Sequence, residues 1–243
     1  DHIVNQCNAM KNDLLSLHSL NPKNVSVIYN PVNKRIEDVS INLLDIRKED
    51  FFLCVGRLEK QKSFEYAIKA FAKVSKVYTN FRLKIVGKGS LEGYLKEVAF
   101  ECGVKDKVDF EGFQQDIIPY YQKAKGTILT SLYEGFPNVL IESITLGTPV
   151  ISFNCPSGPK EIIEDGVNGY LVEYQDIDDL SFKMLKVTEN EFDIEVVKSP
   201  LQTQISTFVK RMAIIGVIIF LMVWAFSYYI SGSIIDSLLN GLT

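Results

Sequence analysis

Two clusters of residues have the types and spacing to do chemistry. In the first, VGRLEKQKSFEYAIKAF, Arg57 and Lys62 follow a run that reads as a strand and flank the start of a helix. Two cations beside a helix N-terminus suit a diphosphate, because free backbone N–H groups and side-chain charges act on the same anion. The competing reading makes both of them solvated surface charges, the commoner fate of lysine and arginine. The second cluster is SLYEGFPNVLIESITLG. Glu134 falls in the loop after the run TILTS, Pro137 suits a first helical position, and Glu142 lies just over one turn into NVLIESITLG. A carboxylate between Ile141 and Ile144 is costly unless something hydrogen-bonds to it, and a ribose diol is a natural partner. Spacing alone allows equally that Glu134 is a solvated loop residue and Glu142 a helix-surface charge.

A scaffold must aim these residues, and the pattern around them supplies one. Short β-rich runs alternate with helical ones: FFLCVG then FEYAIKAFAKVSKVY, LKIVG then SLEGYLKEVAFECG, VDFEG then DIIPYYQKA, GTILTS then NVLIESITLG, TPVISF then GPKEIIEDG. Alternation at short loop lengths predicts βαβ units on a mostly parallel sheet. The strand runs are apolar throughout, as expected when helices cover both faces. The fold class is therefore α/β, a Rossmann-like doubly wound parallel sheet. In such sheets ligands bind outside the carboxyl ends of the strands, which directs attention to the loops after FFLCV, VDFEG and TILTS. A net charge of -4 has no basic excess to neutralise a phosphate backbone, so nucleic acid is not an expected partner. Cys7, Cys54, Cys102 and Cys155 lie far apart, and His2 and His18 are the two histidines, which argues against zinc and against a disulfide framework. Cys54, inside FFLCVG, reads as a buried thiol.

The ends of the chain read differently. Before residue 51, DHIVNQCNAMKNDLLSL looks helical, NVSVIYNPV looks like a strand running into a turn, and RIEDVSINLLDIRKED looks like a polar connector. The chain begins at Asp1 with no secretory n-region or h-region, so export by a cleaved signal is not expected. Residues 212–230, MAIIGVIIFLMVWAFSYYI, carry no charge over nineteen residues and are expected to form one transmembrane helix. Lys210 and Arg211 precede it, and Trp224, Tyr228 and Tyr229 lie toward its far end, an arrangement that puts the N-terminal side at the cytoplasmic face. A buried core helix is the alternative.

Glu134 and Glu142, with GFPNVLI between them, resemble the signature of glycosyltransferase family four, whose members have the two-domain GT-B fold. GRLEKQK, KIVGKGSLEGYLKE, VDFEGF, SLYEGFPNVLIESITLGTPVIS and GPKEIIEDGVNGYLV resemble that family in order, and the similarity spans residues 1–187. It implies three regions: 1–50, the end of an acceptor domain and a connector; 51–190, a nucleotide-sugar-binding domain, the C-terminal half of a GT-B enzyme; and 191–243, the membrane segment. It implies transfer of a hexose with retention of configuration, from a UDP-, GDP- or ADP-sugar to a glycan or lipid-linked acceptor, in polysaccharide or lipid-linked glycan synthesis. Arg57 and Lys62 would bind the diphosphate and steady the leaving group, work done elsewhere by a metal, so that no metal or other cofactor is expected. Glu134 would meet the donor sugar near the reacting carbon and so join them as a catalytic residue, while Glu142 would hold the ribose. Gly135, Phe136, Asn138 and Val139 would lie along the sugar and phosphates, and Gly112 and Phe113 near the base. Ser63 stands where the family commonly has glycine. The family's glycine-rich loop and histidine of the acceptor half have no match here, so donor binding without efficient transfer is expected, and a non-catalytic nucleotide-sugar-binding fragment is the alternative function. Residues 196–243 resemble the part of a P-type cation-transporting ATPase that returns to the membrane. Both resemblances stop at residues 189–195, which suggests a chimaeric joint, with a genuine anchor or a transporter fragment as alternatives.

Overall fold

The computed structural model describes residues 2–18, 20–40, 46–189 and 211–225. Six parallel strands form one sheet: β3 (Phe51–Val55), β4 (Arg82–Val86), β5 (Val108–Gly112), β6 (Gly126–Leu129), β7 (Val150–Phe153) and β8 (Gly169–Val172), in the order β5-β4-β3-β6-β7-β8. The chain winds outward from β3 to one edge, returns to the centre as β6, and winds to the other edge. This is the doubly wound α/β order, with its switch point between β3 and β6.

The strands alternate their side chains between two apolar layers. Phe52, Cys54, Leu83, Ile85, Ile128, Ile151 and Phe153 enter one layer, against α3 (Phe64–Val77), α4 (Glu92–Glu101) and α8 (Ile177–Glu189). Phe51, Leu53, Val86, Leu129 and Val150 enter the other, against α2 (Lys34–Ser40), α5 (Ile118–Lys123), α6 (Asn138–Thr145) and α7 (Pro159–Ile162). Burial on both faces is why β3, FFLCV, reads as an unbroken apolar run, while β5, VDFEG, at the sheet edge carries Asp109 and Glu111. Helix α3 shows the complementary helical period. Phe64, Ala67, Ile68, Phe71 and Val74 are buried on one stripe, and each such large side chain stabilises the fold by about 1.5–3 kcal/mol. Cys54 is fully buried, and burial pushes its thiol pKa up, as its apolar surroundings predict.

Two N-terminal expectations change. Within the segment expected to be helical from its start, residues 2–7 are not helical: β1 (Ile3–Asn5) pairs in parallel with β2 (Val25–Val27), and only then does α1 (Asn8–Leu17) begin. Strand pairing across twenty residues overrides the local pattern. The polar connector contains α2, whose Ile36 is buried in the second apolar layer.

The molecule divides into two compact units, Asp1–Ser199 and Pro200–Thr243. In the second, residues 211–225 form a helix with exposed apolar side chains. Among the described residues no helix is long and apolar enough to cross a membrane, so the expected span at 212–230 is not supported. Its residues 226–230, and the expected joint from residue 190 on, lie outside the described residues.

Candidate active site

The loops after β3, β4 and β5 are stitched together by backbone contacts at the carboxyl edge of the sheet. Gly56 N–H donates to the Val86 carbonyl at 3.0 Å, and Gly87 N–H to the Gly112 carbonyl at 2.8 Å. The approach is so close that a Cβ on Gly87 would sit 1.8 Å from the Gly56 carbonyl oxygen. Beside this junction opens a cleft of about 470 Å³ lined by Val55, Arg57, Lys88, Phe113, Gln114 and Ile117, among others. Arg57 and Phe113 therefore line the same cleft. The turn at Gly112, with φ +67°, carries the chain to Phe113, which is 70% exposed. Lys88 is a cation that the sequence reading does not single out. The signal is present, since Lys88 stands two residues beyond β4 as Arg57 stands two beyond β3.

The loops after β3 and β6 flank the switch point and are zipped to one another. The Leu132 N–H donates to the Gln61 carbonyl, Gln61 Nε2 donates to the Tyr133 carbonyl, and the Thr130 hydroxyl donates to the Lys62 carbonyl. The zipper brings Lys62 Nζ to 2.5 Å from Glu134 Oε1, with the two side chains only 14% and 9% exposed. Neither is a solvated surface charge. Ser63, the next residue, is buried with φ +43° and ψ +48°, a left-handed conformation that glycine adopts without strain. Its hydroxyl donates to the Lys60 carbonyl at 2.7 Å.

Glu142 is not a helix-surface charge. Helix α6 buries Leu140, Ile141, Ser143, Ile144 and Thr145, and Glu142 is half-buried beside it with the Tyr121 hydroxyl donating to Oε2 at 2.9 Å. Burial raises the carboxyl pKa and the Tyr121 bond offsets part of the rise. The hydrogen-bonding partner demanded by an apolar helix is thus in part a tyrosine from α5, which spacing along α6 could not reveal.

Gly135, Phe136, Asn138 and Val139 occupy the loop and first turn beyond Glu134. Val139 packs against the second apolar layer. The other three meet the N-terminal segment: the Gly135 carbonyl accepts from the Cys7 thiol at 3.4 Å, the Phe136 ring lies 5.1 Å from that of Tyr29, and Asn138 Oδ1 accepts from Asn30 Nδ2 at 3.0 Å. Cys155 sits nearby, its thiol pushed up to about 11 by burial and by the charge of Glu134.

The arrangement offers cations and one carboxylate, Glu134, at the switch point, a stacking ring over a cleft, and a second carboxylate, Glu142, on α6. The family model described as Glycosyl transferases group 1 matches residues 37–207. The match passes through residues 189–195, where the sequence reading ends the resemblance. The cation-transporting ATPase likeness of residues 196–243 finds no support in the structure or in these matches. A Campylobacter jejuni subsp. jejuni protein described as N-acetylgalactosamine-N,N'-diacetylbacillosaminyl-diphospho-undecaprenol 4-alpha-N-acetylgalactosaminyltransferase is 29% identical over 82% of this chain and 53% of its own length. A Salmonella typhimurium lipopolysaccharide 1,6-galactosyltransferase is 32% identical over 71% of this chain and 48% of its own. Among solved structures, the apo form of the lipopolysaccharide outer core galactosyltransferase WaaB superposes with a TM-score of 0.67 at 27% identity, over 81% of this chain and 56% of that one. The chain spans about half the length of these relatives.

Proposed function

The chain belongs to the group 1 glycosyl transferases, and on that premise we propose that it provides the donor site of an enzyme that moves a hexose, with retention, from a UDP-, GDP- or ADP-sugar to a glycan or lipid-linked acceptor. The relatives act in lipid-linked and lipopolysaccharide glycan synthesis by their descriptions, which supports the acceptor class. A lipid-linked acceptor would bring the enzyme to the cytoplasmic membrane face without a spanning helix.

The observation that carries the reading is the Lys62–Glu134 pair at the switch point. Before a donor arrives, each group neutralises the other at 2.5 Å, so both are held in place without an uncompensated buried charge. A diphosphate entering beside Arg57 would share the Lys62 ammonium. The two cations then oppose the charge that develops on the leaving diphosphate as the glycosidic bond breaks, in a geometry set before reaction. Glu134, relieved of part of its partner, would accept hydrogen bonds from the sugar hydroxyls near the reacting carbon. Glu142 would accept from the ribose hydroxyls with the lone pairs that Tyr121 leaves free. The base would lie in the cleft against Phe113.

Calorimetric titration of the full chain with UDP, GDP and ADP, beside a Glu142→Ala variant, tests the reading. Saturable binding of one nucleotide, weakened at least about tenfold by the substitution, is expected, in line with a charged hydrogen-bond acceptor worth about 1.5–3 kcal/mol. A folded chain that binds none of the three overturns it. Sugar transfer by the nucleotide-binding chain separates an enzyme from a binding module.

A further inference from the structure

We propose that Glu161 is a positioning residue for the donor-sugar subsite: its carboxylate latches the start of α1 and thereby braces the loop at Gly135–Phe136–Asn138. The assignment of that loop to the sugar rests on the reading in the preceding subsection, but the latch itself does not. Glu161 lies on the four-residue α7, far from the N-terminal segment in sequence. Its Oε1 accepts from the Ala9 N–H at 2.8 Å, and its Oε2 from the Asn8 N–H at 2.9 Å, Asn8 Nδ2 at 3.0 Å and the Tyr29 hydroxyl at 3.1 Å. One carboxylate thus satisfies two unpaired N–H groups of the first turn of α1, where negative charge is favoured. Burial alone would raise its pKa; the bonds from Asn8 and Ala9 outweigh burial and hold it below the ordinary value.

The third N–H of that turn continues the chain of contacts. Met10 N–H donates to Cys7 Sγ, and the Cys7 thiol donates to the Gly135 carbonyl, each at 3.4 Å. Tyr29, which Glu161 also holds, carries the ring that packs on Phe136, and Asn30 next to it bonds Asn138. From the other side, Gly158 at the start of α7 abuts the same loop: a Cβ there would lie 2.5 Å from Pro137 Cδ and 2.7 Å from the Gly135 carbonyl oxygen. The loop is therefore held between α7 and the N-terminal segment, and Glu161 is the group that fastens one to the other. Because Glu134 begins this loop, slack in it moves the carboxylate relative to the sugar, while the diphosphate cations on the β3 loop stay in place.

The test is amide hydrogen exchange and donor binding on the full chain, as wild type, Glu161→Ala and Glu161→Gln. The amides to follow are those of Asn8 and Ala9, which donate to Glu161, and those of Glu134 and Leu140, which donate to the Pro156 and Pro137 carbonyls. In Glu161→Ala, exchange at these four should quicken at least about tenfold while amides of β3 and α3 keep their protection, and Glu161→Gln, which retains acceptor oxygen, should restore part of it. If Asn8 and Ala9 quicken but Glu134 and Leu140 do not, Glu161 only caps α1 and the proposal falls. It also falls if all amides quicken together, since the carboxylate then merely supports the fold. In the binding arm, Glu161→Ala should leave affinity for UDP, GDP or ADP within about twofold of wild type and abolish the extra affinity of the matching nucleotide-hexose. Equal loss for both ligands overturns the positioning role. A wild type that binds no nucleotide defeats the donor-site reading, and the exchange result still decides the latch.

Discussion

Replacing Lys62 by methionine keeps most of the stem and removes the charge, leaving the Glu134 carboxylate, 9% exposed, without the ammonium 2.5 Å away. Removing one partner of a buried ion pair costs about 3–5 kcal/mol, because the remaining charge is left uncompensated. The 14% exposure of Lys62 lets some water in, which brings the expected loss to about 2–3 kcal/mol. In a unit of this size that corresponds to a fall in Tm of roughly 4–12 °C. Glu134→Gln should cost less, since the amide keeps an acceptor oxygen and leaves the ammonium closer to solvent. The double variant, with no charge left to strand, should recover to within about 1 kcal/mol of wild type. Denaturant unfolding of the four chains, followed by circular dichroism, gives the coupling between the two sites. Coupling of at least about 1.5 kcal/mol is expected for groups in direct contact. If the two single losses instead add to the double loss within about 0.5 kcal/mol, the pair is not closed in solution. The account of a preset, mutually neutralised donor site would then be wrong.

Gly87→Ala forces a methyl to within 1.8 Å of the Gly56 carbonyl oxygen, so the loops after β3 and β4 must part; a loss of several kcal/mol is expected in the same unfolding assay. Gly93→Ala, in α4 with nothing within 4 Å, should instead gain about 0.5–1 kcal/mol, and equal effects at the two positions would refute the close-approach argument. Burial holds the Glu142 carboxyl above its ordinary 4.5, so its contribution to stability is full below that value and is lost as pH rises through the raised one. Nucleotide affinity should move the opposite way, rising over the same window as the carboxylate forms and accepts from the ribose. Glu142→Gln should flatten this pH profile, weaken binding, and raise stability at neutral pH; a profile that keeps its slope in the variant shows that another group titrates.

Much of the frame is legible in the sequence because its cause is local. A strand covered on both faces must be apolar almost throughout, as Phe51–Val55 is, and a helix covered on one face must repeat its apolar residues every three or four, as Phe64–Val77 does. These periods place Arg57, Lys62 and Glu134 in loops at the carboxyl edge before any coordinate is known. The misread elements are those whose cause is distant. Ile3–Asn5 is a strand because Val25–Val27 lies beside it, and the connector helix Lys34–Ser40 is held by Ile36 entering a core built by other segments.

The residue types at the site and their order along the chain were set by the sequence, since loop chemistry and helix starts are properties of short stretches. Their pairing was decided only by tertiary structure. Lys62 and Glu134 are 72 residues apart, Tyr121 and Glu142 are on different helices, and Glu161 reaches α1 across more than 150 residues. Each of these contacts depends on the strand order β5-β4-β3-β6-β7-β8, which places β3 next to β6 and makes their loops neighbours. Periodicity says which face of a segment is buried. It carries no information about which other segment covers that face, because that choice is made by the packing of the whole sheet and its two helical layers.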